Sequence, residues 1–322
     1  MSGNARARLA TPTAAMLPRI GDSVSFLYVD IARIVQDETG VKALIQSGDG
    51  FQRVALPTAA LGCLLLGPGV SITTRALSTL ARHGTTVVCT GSGGVRTYAA
   101  KVPDSLPTRW LELQARSWCD ETERAAVARR MYRQRFGETA PATATIAQLR
   151  GLEGQRMKAL YRMLAQQHGV RAFKRSYDPA DWDGQDPVNR ALSAANTCLY
   201  GIVHAAINAI GCTPGLGFVH TGTSHSFVYD VADLYKAELT LPLAFSLHDS
   251  ANPDSQARRS FRDGLRLFRL LPRIVADIQT LLSPDDGTRQ EDAEEASEEL
   301  VNLWDPDQGL LPGGKNYDPW ES

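Results

Sequence analysis

The stretch SFLYVDIARI, residues 25–34, begins a series of short segments that decides the fold class of the first third of the chain. Like the later segments VKALIQ (41–46) and TTVVCT (85–90), it is rich in the β-branched and aromatic residues that favour strands. Turn sequences separate the segments, namely DETG at 37–40, SGDG at 47–50, GPG at 67–69 and GSGG at 91–94. We therefore predict a small, mostly β domain over residues 17–103, interrupted by one helix near residues 73–83.

From about residue 106 the apolar residues follow helical spacing instead. The predicted helices span 107–136, 146–168, 188–210, 226–237 and 257–282. The fold class is therefore α+β, with a helical domain over residues 104–282 after the β domain. Residues 1–16 are predicted to be a disordered lead-in, and residues 283–322 an acidic, disordered tail.

Charge is divided unevenly along the chain. The protein has 322 residues and a formal net charge of −1, which by itself argues against nucleic-acid binding because such proteins are usually basic. Residues 284–322, however, hold twelve acidic and two basic residues, a net charge of −10, which leaves +9 on residues 1–283. The basic part can bind nucleic acid, and we expect the tail to compete for that basic surface or to contact a partner.

Composition excludes several classes of protein. The five cysteines are odd in number and include no CxxC pair, so they predict reduced thiols in a cytoplasmic protein rather than a zinc ribbon. No apolar run reaches the roughly 18 residues of a membrane span, and the N-terminus lacks the apolar core of a secretory signal.

Two short motifs do not indicate an enzyme class. GSGG at 91–94 leads into a strand rather than the helix of a dinucleotide-binding site, and GTSHS at 222–226 lacks the last glycine of a nucleophile elbow.

A carboxylate interrupts the apolar stripe of the helix predicted over 146–168. The stripe consists of Ile146, Leu149, Met157, Leu160 and Leu164. Its missing member, four residues after Leu149, is Glu153, and an unpaired charge on a buried face costs several kcal/mol. Glu153 is therefore either paired with an arginine such as Arg150 or Arg156, or it is a metal ligand or a catalytic acid.

A second group of candidate residues lies in HTGTSHSFVYDVADLYK, residues 220–236. Asp230 and Asp233 are three residues apart and are predicted to share one face of a helix capped by Ser226. With His220 just upstream and a further carboxylate from another helix, this set suits a hard divalent cation. The alternative is a capping pair of aspartates and a core histidine.

Polar and basic residues complete the candidate site. Asn196 and Tyr200 interrupt the small-residue helix at 188–210 and are predicted to support the site from behind its ligands, or else to be ordinary core groups. Arginines recur at helical spacing in VARRMYRQRF (127–136) and in RRSFRDGLRLFRLLPR (258–273), and such faces match a phosphate backbone or are simply solvated. The candidate DNA-binding arginines are Arg129, Arg130, Arg133, Arg258, Arg259, Arg262 and Arg266.

Three segments resemble the CRISPR-associated integrase of the type I-E adaptation module, the "Cas one" family. They are GLEGQRMKALYRMLAQQHGV (151–170), YDPADWDGQDPVNRALSAANTCLYG (177–201) and GFVHTGTSHSFVYDVADLYK (217–236). The resemblance extends from about Leu17 to Ile278 and includes RFGE at 135–138. It implies a β-sandwich-like N-terminal domain, a helical catalytic domain, a homodimer, and a complex in which two such dimers flank a dimer of the "Cas two" protein.

The resemblance also implies roles for individual residues. The family's metal ligands match Glu153, His220 and Asp233, a further catalytic acid matches Asp230, and the metal is magnesium or manganese. The sequence departs from the family at residues 223–225, where relatives carry a basic residue after HTG, and His225 is the substitute we expect to contact phosphate.

These observations support a metal-dependent DNA integrase and endonuclease. It would join short foreign DNA to a CRISPR repeat by attack of a 3′-hydroxyl on a phosphodiester, so its partners would be the foreign duplex and the repeat–leader DNA. One alternative is a metal-dependent nuclease acting on branched or duplex DNA, in which water replaces the hydroxyl. Another is a non-catalytic nucleic-acid scaffold.

Overall fold

The structure of the chain is a computed structural model, and it describes most of the residues between 26 and 283 with two short segments beyond them. The described ranges are 26–47, 50–58, 61–94, 96–103, 106–136, 144–171, 173–175, 186–262, 264–283, 303–305 and 309–311. The predicted lead-in at 1–16 lies outside these ranges.

The first part of the chain folds into two four-stranded sheets. Its strands are β1 (Phe26–Val29), β2 (Ala32–Asp37), β3 (Gly40–Ser47), β4 (Gly50–Ala55), β5 (Cys63–Leu66), β6 (Ser71–Ile72), β7 (Thr86–Thr90) and β8 (Thr97–Lys101). The first sheet has the order β1-β5-β7-β8, parallel except for the antiparallel edge strand β8, and the second has the order β4-β3-β2-β6. Helix α1 (Thr74–Arg82), capped by the Thr73 hydroxyl, connects β6 to β7.

Strands β1, β5 and β7 of the first sheet are buried on both faces, with successive side chains pointing in opposite directions, whereas the edge strand β8 is mostly exposed. One set of the sheet's side chains packs in a core shared with the second sheet: Leu27, Val29, Leu64, Leu66 and Val87. The alternate set joins the core of the helices: Phe26, Tyr28, Cys63, Leu65 and Val88. The two sheets are thus sandwich-like, and the helices cover the far side of the first sheet.

Helices make up the rest of the compact part. They are α2 (Arg109–Cys119), α3 (Glu121–Phe136), α4 (Ile146–Gln167), α5 (Pro187–Ala209), α6 (Ser226–Asp233), α7 (Leu241–Ser246), α8 (Pro253–Arg262) and α9 (Gly264–Leu282), with a π-helix at Lys236–Thr240. This order of strands followed by helices confirms the predicted α+β class.

One of the predicted helices is divided in the structure. The helix expected over 107–136 breaks at Asp120, whose carboxylate accepts the backbone N–H groups of Thr122 and Glu123 and so starts a new helix. The segment expected to be helical over 257–282 is helical on both sides of residue 263, which lies outside the described residues. The helix expected over 226–237 ends at Asp233, and its N-cap is His225 rather than Ser226, whose hydroxyl donates to the Thr223 carbonyl instead.

Helix α5 lies at the centre of the helical part. Its many small residues let neighbouring elements approach closely, and most of its side chains are buried. It also holds the β part in place, because the Thr97 hydroxyl of β8 donates to the carbonyl of Gly201 at 2.9 Å. The candidate residues Asn196 and Tyr200 therefore sit on a rigid support.

The acidic tail belongs to a separate unit that begins at residue 285. Its described residues form two short antiparallel strands, β9 (Leu303–Asp305) and β10 (Gly309–Leu311), which the composition did not predict. Within the described parts of the chain, no helix combines the length and apolar character needed to cross a membrane.

Candidate active site

Glu153, His220 and Asp233 line one cleft of about 310 Å³. They come from α4, from the loop before α6 and from the end of α6. The remaining lining residues are Tyr132, Arg135, Arg150, Gly154 and Val219. The structure therefore brings together the three residues that the sequence nominated as metal ligands, although the first two are 67 positions apart.

Glu153 is held by an arginine that the sequence did not nominate. Helix α4 starts at a capping box formed by Thr145 and Gln148, and Leu149 and Leu164 bury its apolar face. The carboxylate of Glu153 pairs with the guanidinium of Arg135 from α3. The expected partners, Arg150 and Arg156, are placed differently: Arg150 is exposed and Arg156 donates to the carbonyl of Arg135.

Asp233 lies between two cations. Its Oδ2 is 3.5 Å from Nη2 of Arg135, and its Oδ1 is 2.5 Å from Nζ of Lys236. Burial disfavours the charged form of Lys236, but the Asp233 carboxylate and Tyr200 together outweigh this and raise its pKa. Burial has the larger effect on Arg135 and lowers its pKa, against the attraction of Asp233.

Asp230 orients His220 rather than facing the cleft. Its side chain is fully buried, whereas that of His220 is 44% exposed. Its two oxygens accept the backbone N–H groups of Phe218, Val219 and His220, and Oδ1 also lies 2.7 Å from Nδ1 of His220. That hydrogen bond raises the pKa of His220 and leaves Nε2 as the imidazole nitrogen available to a ligand. Of the two aspartates predicted to share one face of this helix, only Asp233 lines the cleft.

Side chains of α2 and α3 hold the loop at 213–220 that carries His220. The amide of Gln114, completely buried, donates to the carbonyls of Thr213 and Leu216 and accepts the N–H of Thr213 at 2.8 Å. Trp118 Nε1 and Arg124 donate to the carbonyl of Gly217. These contacts replace the hydrogen bonds that a helix or sheet would supply, so the loop has a defined shape.

Replacing Gln114 by leucine is expected to destabilise the protein by about 2–3 kcal/mol, because the buried N–H of Thr213 and two carbonyls lose their partner. Urea unfolding followed by circular dichroism measures the change. Gln166→Leu, on the exposed face of α4, is the matched control and should change stability by less than about 0.5 kcal/mol. Equal midpoints for the two variants would show that Gln114 does not support this loop.

Asn196 and Tyr200 line a second cleft, of about 340 Å³, together with Arg135, Glu153 and Asp233. Nζ of Lys236 lies 4.9 Å from the centre of the Tyr200 ring. The Oδ1 atom of Asn196 is buried and has no hydrogen-bond partner among the described residues. Both residues share this cleft with Asp233 and Lys236, and their role in supporting the site stays a prediction.

The arginines of α3 serve different purposes. Arg133 is exposed and Arg129 is half-buried, which leaves both open to a DNA contact. Arg130, in contrast, donates from Nε to the carbonyl of Leu281 at 2.8 Å and so binds the C-terminal end of α9. Arg130 is therefore engaged within the protein, which makes it a weaker candidate for DNA binding than Arg129 and Arg133.

Of the arginines at 258–273, the structure describes the side chains of Arg258, Arg259 and Arg273. Arg258 pairs with Asp254 at 2.8 Å, and Arg190 pairs with the same carboxylate at 3.2 Å. Arg259 is exposed. The side chains of Arg262 and Arg266 lie outside the described residues.

His225 belongs to a group of rings beside His220. The centres of the His225 and His204 rings are 5.1 Å apart, and Tyr229 contacts both His225 and His220. Burial, aided by His225, lowers the pKa of His204 to about 4, so that His204 is neutral at physiological pH. His225 is partly exposed at the start of α6, a position from which it can reach a bound phosphate.

The donors of the cleft can hold a divalent cation. The two carboxylates supply the oxygen ligands that suit magnesium and manganese, and the imidazole, whose other nitrogen bonds a buried aspartate, can supply a third donor. Across the described residues, however, no three histidine, cysteine or acidic side chains converge into a closed ligand group. The reason is visible in the cleft, where the two carboxylates contact Arg135 and Lys236 instead.

Sequence reasoning missed Arg135, Lys236 and Gln114. Lys236 follows Asp233 by three residues, a spacing that places the two on one side of a helix and could have suggested the pair. Arg135 sits in the basic segment 127–136, where nothing distinguished it from its neighbours. Gln114 carried no signal, because its role depends on a loop about 100 residues away.

Comparison with known proteins places the chain in a family. The family model for CRISPR associated protein Cas1 matches residues 134–258, which include all four predicted catalytic residues. The chain is 41% identical over 94% of its length to the CRISPR-associated endonuclease Cas1 of Clostridium sp. (strain SY8519), covering 98% of that protein. It is 40% identical over 95% of its length to CRISPR-associated endonuclease Cas1 2 of Thermus thermophilus, covering 94% of that protein.

The fold agrees with the sequence relationship. The crystal structure of the TtCas1–DNA complex superposes with a TM-score of 0.74 at 40% identity, covering 83% of this chain and 99% of that one. Sequence and fold thus lead to the same conclusion: the chain belongs to the Cas1 family of CRISPR-associated endonucleases.

Proposed function

We propose that this chain is the DNA-joining subunit of a CRISPR adaptation complex of the type I-E branch, and that it inserts short foreign DNA into a repeat. The observation that carries the proposal is the convergence of Glu153, His220 and Asp233 on one cleft beside basic residues. The relatives named above are Cas1 endonucleases, and one was solved with DNA. The proposed complex contains a homodimer of this chain and the "Cas two" protein.

The proposed reaction is a transesterification. The 3′-oxygen of the incoming strand forms a bond to a phosphorus of the repeat strand, and the bond from that phosphorus to the neighbouring 3′-oxygen breaks. The attacking hydroxyl loses its proton, and the 3′-oxygen that leaves takes up a proton in turn. One phosphodiester replaces another, so no nucleotide triphosphate is consumed.

Glu153, His220 and Asp233 would hold magnesium or manganese, which, when bound, lowers the pKa of a hydroxyl and offsets charge on phosphate oxygens. Asp230 keeps the imidazole of His220 turned with Nε2 toward the cleft. Arg150, exposed at the same cleft, is placed to donate to a phosphate oxygen of the DNA. Tyr200 and Asn196 support Lys236 and Asp233 from the second cleft.

A joining assay tests the function. A labelled short duplex with free 3′-hydroxyls is incubated with a supercoiled plasmid carrying a repeat, Mn²⁺, and the small partner protein. We expect label to appear in the plasmid, and a duplex ending in 2′,3′-dideoxynucleotides should give none. Cut plasmid without joined label, in both reactions, would identify the chain as a nuclease instead.

Arg133 and Arg259 are expected to contribute to DNA binding through phosphate contacts. Replacing either by glutamine should weaken duplex binding several-fold at low salt and reduce the slope of log K against log salt by about 0.9. Fluorescence anisotropy over a salt series measures both quantities. Arg273→Gln is the control, because this arginine is engaged by Glu238 through two contacts of 2.9 Å. Wild-type slopes for Arg133→Gln and Arg259→Gln would place the DNA on another surface.

A further inference from the structure

Arg135 occupies the position between the two carboxylates of the cleft. Its Nη2 contacts Oε1 of Glu153 and lies 3.5 Å from Oδ2 of Asp233. The two carboxylates come from different helices, α4 and α6, so the guanidinium is what joins them in the described cleft. We propose that Arg135 is an internal counter-cation that holds Glu153 and Asp233 in the metal-free protein, and that a divalent cation binds by displacing it.

Burial explains why the carboxylates need such a cation. The side chains of Arg135, Glu153 and Asp233 are only 12%, 20% and 15% exposed. Two carboxylates this poorly hydrated and this close would repel each other and lose solvation without an opposite charge between them. Arg135 itself is held by the ring of Tyr132, whose centre is 5.4 Å from its guanidinium carbon.

Charge balance explains why the cation must leave. Arg135 and Lys236 are the cations in contact with Glu153 and Asp233, and their two positive charges balance the two carboxylates, while Arg150 lies exposed at the same cleft. Adding a divalent cation while both contacting side chains remain would leave an excess of +2 on this poorly exposed group. Release of one of them from the carboxylates halves that excess.

Geometry identifies Arg135 as the cation that leaves. Lys236 contacts Asp233 through Oδ1 and is held by Tyr200, away from Glu153. Arg135 contacts both carboxylates, where a shared ion would bind. It also lines both clefts, which together offer space for the freed guanidinium.

Displacement of Arg135 rests on the proposed metal site. It predicts the opposite change in Mn²⁺ affinity from a model in which Arg135 only supports the carboxylates. If Arg135 competes with the metal, Arg135→Gln should bind Mn²⁺ about tenfold more tightly than the wild type, a change of about 1.4 kcal/mol. If Arg135 merely holds the carboxylates ready for the metal, the same variant should bind Mn²⁺ more weakly. Electron paramagnetic resonance of free Mn²⁺ during a titration of the full chain measures the affinity without any DNA reaction.

Three variants make the result decisive. Arg162→Gln removes the same charge at an exposed position of α4 and should leave Mn²⁺ affinity within about twofold of wild type. Arg135→Lys keeps the charge but loses the forked geometry that bridges two carboxylates, so its affinity should fall between wild type and Arg135→Gln. If Arg135→Gln does not fold, Arg135→Lys decides: tighter binding than wild type supports displacement, and equal or weaker binding overturns it.

Thermal unfolding gives an independent readout. Without metal, Arg135→Gln should melt below the wild type because its carboxylates are unpaired, and saturating Mn²⁺ should raise its melting temperature by more than that of the wild type. A smaller Mn²⁺-induced rise than in the wild type would contradict displacement.

The same titration separates this proposal from the proposed function. Glu153→Gln and Asp233→Asn should both lose Mn²⁺ binding. If they bind like the wild type, the metal site itself is wrong and the displacement is wrong with it. If they lose binding and Arg135→Gln does not gain it, the metal site stands and only the displacement is overturned.

Discussion

Replacing Glu153 by glutamine is expected to slow strand joining by at least about 10³-fold, while duplex affinity stays within about twofold of wild type. Glutamine keeps the volume and one hydrogen-bonding oxygen of the side chain but removes the charge that a divalent cation requires. Glu153 lies in the cleft, whereas the arginines proposed to bind the DNA backbone are exposed elsewhere, so duplex binding should not depend on Glu153. The joining assay and anisotropy measure the two quantities on one preparation.

The matched control for this variant is Glu123→Gln. Glu123 is an exposed glutamate on α3, and its neutralisation changes the net charge by the same amount. It should leave the joining rate within about twofold of wild type. If Glu153→Gln joins strands as fast as Glu123→Gln, the proposed site does not perform the reaction, whatever it binds.

Replacing Asp230 by asparagine is expected to lower the free energy of unfolding by about 3–5 kcal/mol and to abolish joining as well. The four N–H groups that converge on this buried carboxylate need four acceptor positions, and an amide would turn two donor hydrogens toward them. The loop at 213–220 and the ring of His220 would then lose their common anchor. Urea unfolding and the joining assay measure the two losses.

Asp249→Asn is the control for the Asp230 variant, because Asp249 is exposed and its neutralisation should change stability by less than about 0.5 kcal/mol. The comparison also separates two roles for Asp230. Loss of joining with wild-type stability would mean that Asp230 acts directly in the reaction, as the sequence resemblance implied. Loss of both supports the positioning role that its burial indicates.

The predictability of the fold differed between its parts for a physical reason. The β-branched and aromatic residues of segments such as 25–34, and the turn sequences between the segments, identified the β part, because each of these signals is local. The apolar spacing that predicts a helix is also a local signal, but the residues at which helices end could not be predicted in the same way. The break at Asp120, for example, depends on one carboxylate that caps the following helix.

Two features of the candidate site followed from the sequence by itself. Glu153 was recognisable because it breaks an apolar stripe, and His220 and Asp233 because they lie within fourteen residues of each other around a helix start. A charged residue within an apolar stripe and a short spacing along a helix can both be recognised from the sequence without the fold. These local signals, and a resemblance carried by contiguous motifs, determined the fold class, the family and the residues that meet in the cleft.

Only the tertiary structure decided how those residues are held. The partner of Glu153 is Arg135 rather than Arg150 or Arg156, because α3 lies against α4 and brings a distant guanidinium closer than the neighbours along the chain. Asp230 supports His220 instead of lining the cleft with Asp233, because the loop before α6 folds back over its carboxylate. Electrostatic pairing in a buried site depends on distances in space, which a sequence does not contain until its helices are packed.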